Sequence, residues 1–180
     1  MNHTTLALLT VLACSATAAD AVSASAQANE VQAQVDKLGF LTGDWACSGK
    51  VFAHGSVTAH PTTAQAHGAK VVDGHWILFR YDEDKTAENP RPFHIDQYLG
   101  YDSATRRFVS VALDTVGYFS ETTPDLSGDS ITFDETDAGK VVGHDTFART
   151  NPDEISHTGR NLDKAGNWIE TDTEVCHRVR

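Results

Sequence analysis

Positive charge is scarce in this chain: 14 lysines and arginines stand against 25 aspartates and glutamates, a formal net charge of −11 at pH 7. Nucleic acids and anionic membrane surfaces are recognised by clustered Lys and Arg, so neither is an expected partner. The acidic residues are dispersed, which reads as a solvated surface rather than a cation trap. Long apolar runs are lacking too. The apolar stretch near the N-terminus, residues 6–13, falls short of the roughly 20 apolar residues that span a bilayer as a helix. No later segment is apolar enough to cross a membrane, so no transmembrane segment is expected. Also missing are a Gly-x-Ser-x-Gly elbow, a phosphate loop and a Cys–His nucleophile pattern, which leaves no catalytic motif to build on.

Cysteine is sparse, with three in all, at 14, 47 and 176. The first lies in a segment with the features of an export signal. Leu6-Ala7-Leu8-Leu9-Thr10-Val11-Leu12-Ala13 forms a short apolar core, and Ala16-Thr17-Ala18 and Ala26-Gln27-Ala28 both satisfy the small-x-small rule of signal peptidase. The expected organisation is a signal peptide over 1–18 with cleavage as late as 28 as the second option. A leader and short helix follow over 19–37, and one domain over 38–180. The expected location is the periplasm or the exterior. Val11-Leu12-Ala13-Cys14 resembles a lipobox, but Leu12 fits poorly beside the Cys, so a lipid anchor at Cys14 is the lesser alternative.

Helical periodicity is confined to residues 29–39. Asn29 can cap, Val31, Val35 and Leu38 fall on one face, and Gly39 can stop the turn. Strands follow. Residues 51–67 are rich in Thr, Val and Ala, and residues 71–72 and 75–81 are separated by the hairpin or bulge signal Asp73-Gly74. After a long polar loop over 82–92 come 93–101, 107–114, 118–122, 130–133, 141–149, 154–161 and 168–179. The turns between them are punctuated by Gly, Asp, Asn, Ser and Pro. About ten short strands with no intervening helix predict an all-β, up-and-down antiparallel barrel.

Phe40-Leu41-x-Gly43-x-Trp45-x-Cys47-x-Gly49 opens the strand region. It is followed in order by Asp73-Gly74-His75-Trp76-Ile77-Leu78, by Leu99-Gly100-Tyr101-Asp102, and by a Trp168 strand ending in Cys176-His177-Arg178. This ordered set, over residues 38–180, resembles the calycin-like β-barrel family catalogued as domain-of-unknown-function family 1579. The resemblance implies an exported barrel and no particular reaction.

In such a barrel Gly43 allows close backbone approach and Trp45 fills the floor. First and last strands are neighbours in a closed barrel, which brings Cys47 and Cys176 near each other for a disulfide. Strand parity opposes the pairing. Trp45 turns Cys47 inward, whereas Cys176 shares parity with Glu170, Asp172, Glu174 and Arg178, a set expected in solvent. Two separate thiols remain the alternative.

Aromatic candidates for lining the lumen are Trp45, Trp76, Phe79, Phe108 and Phe147. A polar group of His94, Asp96, Ser110 and Asp114 could form if one face of 94–98 pairs with one face of 108–114. The simpler expectation buries Ile95, Leu99 and Tyr101 with Val109, Val111 and Leu113, and leaves the polar set in solvent. In nitrobindin-like barrels of similar shape, a His near the end of the barrel holds haem iron, which makes His177 the positional candidate. Its parity companions Val175 and Val179 are apolar. The plainer expectation is no cofactor, with His177 hydrogen-bonded at a barrel rim. No metal site is expected, because His54, His60 and His67 lack the spacing that places ligands on one face. The leading function is a non-enzymatic binder of a small apolar or amphipathic molecule. The alternatives are a haem-dependent or acid–base enzyme using the lumen, and a solid barrel with a structural or envelope-associated role.

Overall fold

The computed structural model describes residues 18–180, with side chains from Ser25 onward. The apolar core at 6–13, Cys14, Ala16 and Thr17 lie outside the described residues. Helix α1 spans Ala18–Val35 and runs into a 3-10 turn over Asp36–Leu41. It starts earlier than the pattern at Asn29 suggests, and Asn29 lies inside it rather than capping it. The reason is propensity: the Ala-rich stretch before Asn29 favours helix without any apolar stripe to reveal it. The predicted apolar face is real. Val35 and Leu38 are fully buried, Val31 packs against them, and Phe40 and Leu41 join them from the 3-10 turn. Together they plug one end of the sheet.

Eleven strands follow: β1 (Gly43–Val51), β2 (His60–Val71), β3 (Trp76–Glu83), β4 (His94–Asp102), β5 (Arg107–Asp114), β6 (Phe119–Thr122), β7 (Asp125–Ser127), β8 (Ser130–Asp137), β9 (Lys140–Asn151), β10 (Glu154–Leu162) and β11 (Trp168–Arg178). They form one sheet in the order β6-β5-β4-β3-β2-β1-β11-β10-β9-β8-β7. Every pairing is antiparallel, and the sheet curls into a half-barrel with β6 and β7 at its two edges. The predicted meander is therefore present. The strand that the pattern did not reveal is β7, too short at three residues to show a period.

The first and last strands pair directly, with Cys47 opposite Cys176. A disulfide joins them, S–S 2.06 Å, and both cysteines are buried, at 4% and 3% exposure. The outward orientation expected of Cys176 is thus corrected. Directly opposed residues of an antiparallel pair share a face, so inward Cys47 requires inward Cys176, and Glu174 turns inward with it. Further along, a register shift between Gly159 and Arg160 leaves Thr171 without a partner on β10. This β-bulge lets both Thr171 and Asp172 border the concave side.

Trp45 closes the floor as predicted, at 1% exposure. Its indole N–H donates to Leu41 O at 3.2 Å, and the Arg178 guanidinium lies over the ring at 4.1 Å. Arg178 also donates to Thr42 O at 2.8 Å. Gly43, with φ of 112°, sits where a Cβ would collide with that guanidinium.

Candidate functional site

The curled sheet surrounds a cavity of about 1270 Å³. Core side chains, among them Trp45, Ile77, Leu99, Ile131 and Ile155, fill part of the interior, and the cavity occupies the rest. Part of the lining is aromatic. Phe79 of β3 meets Phe147 of β9 edge-on with centroids 5.6 Å apart, and Phe133 of β8 meets Phe147 at 6.1 Å. Ile95 and Ala112 extend this surface. Strand alternation explains it, because Phe79, Phe133 and Phe147 sit at inward positions of strands brought face to face by the curl.

The polar groups of the lining centre on His157 of β10, the direct cross-strand partner of Phe147. Its Nδ1 lies 3.0 Å from Asp172 of β11, and its Nε2 lies 3.4 Å from Asp145 of β9. The Phe147 ring stacks on the imidazole at 4.4 Å. Burial alone would push the His157 pKa down. The hydrogen bonds and charges of Asp145 and Asp172 outweigh it and raise the value to about 10. The same pair acts on Asp172 from the other side: burial raises its pKa, but the bond and charge of His157 hold it below the ordinary carboxylate range.

Glu174 of β11 accepts at Oε1 from the Tyr81 hydroxyl at 2.7 Å and from the Thr62 hydroxyl at 3.0 Å. Burial still raises its pKa. Burial and the charge of Glu174 also raise that of Tyr81. Glu135, at the exposed end of β8, makes no ion pair among the described residues. Partial burial and the neighbouring Asp145 and Asp172 raise its pKa.

Of the five aromatic residues singled out in the sequence, Phe79 and Phe147 border the cavity. Trp45 lies in the floor. Phe108 packs on Tyr101 at 5.4 Å beside a smaller cavity lined also by Phe40 and Leu126. Trp76 is on the outer face, its ring lying over Gly100 of β4. The polar group of His94, Asp96, Ser110 and Asp114 is split by register. Leu99 pairs with Ser110 and Ile95 with Asp114, so the odd residues of β4 share a face with the even residues of β5. Outside, His94 Nδ1 sits 3.0 Å from Asp82, and Asp96 accepts from Arg80 at 2.7 and 2.9 Å. Inside, Ser110 accepts from Gln97 at 3.0 Å, and Asp114 accepts the Val116 and Tyr118 amides at 2.9 Å. The same register corrects the expected burial of Val109, Val111 and Leu113: they share the outer face, and Leu113 is 49% exposed.

His177 also faces outward, 64% exposed and 3.7 Å from Glu154. An iron ligand is needed inside the cavity, so this residue does not fit the haem role. Of the imidazoles that line the cavity, half-buried His157 has a carboxylate at each ring nitrogen and no free lone pair to offer a metal, and His60 lies 3.6 Å from Glu83.

The residues missed in the sequence are Tyr81, Glu135, Asp145, His157, Asp172 and Glu174. A signal for two of them was present. A disulfide to inward Cys47 would have turned Cys176, Glu174 and Asp172 inward together. Among the described residues no helix is long and apolar enough to cross a membrane. Among those residues, too, no group of three or more His, Cys, Asp or Glu is placed to hold a metal ion.

Residues 30–178 match the family described as "Protein of unknown function (DUF1579)". No curated protein matches. Among solved structures, Rv2717c from M. tuberculosis is similar at 17% identity and a TM-score of 0.58, covering 81% of this chain and 97% of that one. At that identity the likeness is one of fold. A DUF3598-family protein from Nostoc punctiforme aligns at 10% identity over 81% of this chain and 99% of that one, with a TM-score of 0.27, which carries no argument.

Proposed function

This chain belongs to the DUF1579 family, and from that premise we propose that it is an exported protein that binds one small amphipathic ligand in the cavity of its half-barrel. The observation that carries the reading is the mixed lining of the cavity. Phe79, Phe133 and Phe147 share it with Thr62, Tyr81, Glu174, His157 and Asp172. Ligand sites are concave and mostly apolar, with a few convergent polar groups that set orientation. Export is supported by the apolar run and small residues at the N-terminus, and by a buried disulfide, a bond that persists in oxidising compartments. An acid–base enzyme that used His157 would need one of its ring nitrogens free to exchange a proton with the substrate, and both face carboxylates.

The test is fluorescence titration with Nile red, a neutral apolar probe. Wild-type protein should bind it saturably at one site. Ala112→Trp, which places an indole in the cavity, should abolish that binding while leaving the circular-dichroism melt in place. No saturable binding to wild type, or equal binding to the variant, would end the proposal.

A further inference from the structure

We infer that the ligand's polar end is a protonated amine, carried on an apolar body. The inference rests on the cavity-binding reading above and adds the chemical class of the head group.

Several hydrogens of the polar lining are already engaged. The Thr62 and Tyr81 hydroxyls both donate to Glu174. The Thr171 hydroxyl donates to Asp172 at 3.0 Å. Both ring nitrogens of His157 face Asp145 and Asp172. Around His157 what remains is mainly lone pairs, while Arg91, His54 and His60 also line the cavity. An ionised carboxylate has about four acceptor positions, so Asp145, Asp172 and Glu174 are far from saturated by these donors. Glu135 adds a carboxylate with no ion pair among the described residues.

A second observation comes from the backbone beneath. Glu135 Oε2 and Asn161 Oδ1 lie over Gly143, and Asp172 Oδ1 lies over Gly159, each in space that a Cβ would occupy. Gly143 and Gly159 belong to the paired strands β9 and β10. Two glycines thus clear a recess in which acceptors from β8, β10 and β11 gather, beside the imidazole on which Phe147 stacks.

Head groups can now be compared. An anion would meet the charges of Asp145 and Asp172, and those of Glu135 and Glu174 as they ionise, against the imidazoles of His157 and His54, and the balance repels it. A neutral hydroxyl brings one donor and no charge. An ammonium brings three donors and the missing positive charge in a volume the recess can hold. A metal ion is disfavoured because no donor set among the described residues is arranged for one. The aromatic lining takes the apolar body, and ring faces tolerate a nearby cation.

Calorimetric titration of the full chain with decylamine, decan-1-ol and decanoate tests this, since the three share a body and differ in head charge. Decylamine should bind at least about tenfold more tightly than decan-1-ol, the scale of a hydrogen bond to a charged group, and decanoate most weakly. Raising the salt should weaken decylamine and not decan-1-ol. Glu135→Gln should lower the affinity for decylamine severalfold more than that for decan-1-ol. If all three bind and decylamine has no advantage, or its affinity ignores salt, the amine inference is overturned and cavity binding stands. If none of them binds, the cavity reading falls and takes the inference with it.

Discussion

At His157, burial and electrostatics oppose each other, and the electrostatics prevail. Desolvation would lower the pKa, but Asp145 and Asp172 raise it to about 10, above the roughly 6.5 of an unfolded chain. Protonated His157 therefore contributes stability in full below about pH 6.5, and that contribution is lost as pH rises through about 10. Asp172 has the opposite sign: its folded pKa is lowered, so its contribution is present above the unfolded value and lost as pH falls. Glu135 and Glu174, with raised values, favour their protonated forms in the fold and weaken it as they ionise. Facing this group are Glu135 on β8, Asp145 on β9, and Asp172 and Glu174 on β11. His54, on the β1–β2 connection, adds a further favourable charge to Asp172. NMR of the imidazole nitrogens should show His157 protonated at pH 8. Asp172→Asn should move its titration down by about one to three pH units. A neutral imidazole in wild type at pH 8 would refute the pairing. None of this could be read from residue types alone. His157, Asp145 and Asp172 come from three strands, and only their register brings them together.

The helix and 3-10 turn form a plug, and the plug is an element-scale device. Leu38 is fully buried under the sheet beside Val35, Phe40 and Leu41. Leu38→Ala removes packing atoms from a site held rigid by its neighbours, so urea unfolding should show a loss of about 2–5 kcal/mol. A loss below about 1 kcal/mol would mean that the plug is not packed as described. The apolar face of this element was legible because Val31, Val35 and Leu38 repeat at helical spacing. Its start was not, because alanine promotes helix without leaving a pattern. β11 was misread for a different reason. Asp172 and Glu174 look like surface residues by type, but the Cys176 bridge turns their face inward, and the bulge at Thr171 ends the alternation that parity assumes.

On the scale of the whole molecule, Cys47–Cys176 ties the first strand to the last across a sequence separation of 129 residues. Closing a loop of that order stabilises by roughly 4–5 kcal/mol in the chain-entropy picture. Reduction with a phosphine, or the paired change Cys47→Ala with Cys176→Ala, should lower the unfolding free energy by an amount of that order. The β1–β11 backbone pairing should persist in the reduced protein. A change below about 1 kcal/mol would show that the strand pairing alone accounts for the closure.

The sequence by itself determined the class of fold, the hairpin turns, the floor at Trp45 and the adjacency of the two cysteines. Those follow from local signals: turn residues, alternation, a Gly beside an indole, and the rule that a meander brings its ends together. Only the tertiary structure decided what the cavity presents. Side-chain direction in a sheet has a period of two, so a one-residue shift at β4–β5 or a single bulge in β11 reverses which residues face inward. Both pairings join consecutive strands, but hairpin register and bulge position are set by how the strands pack into the whole sheet, which residue types alone do not signal.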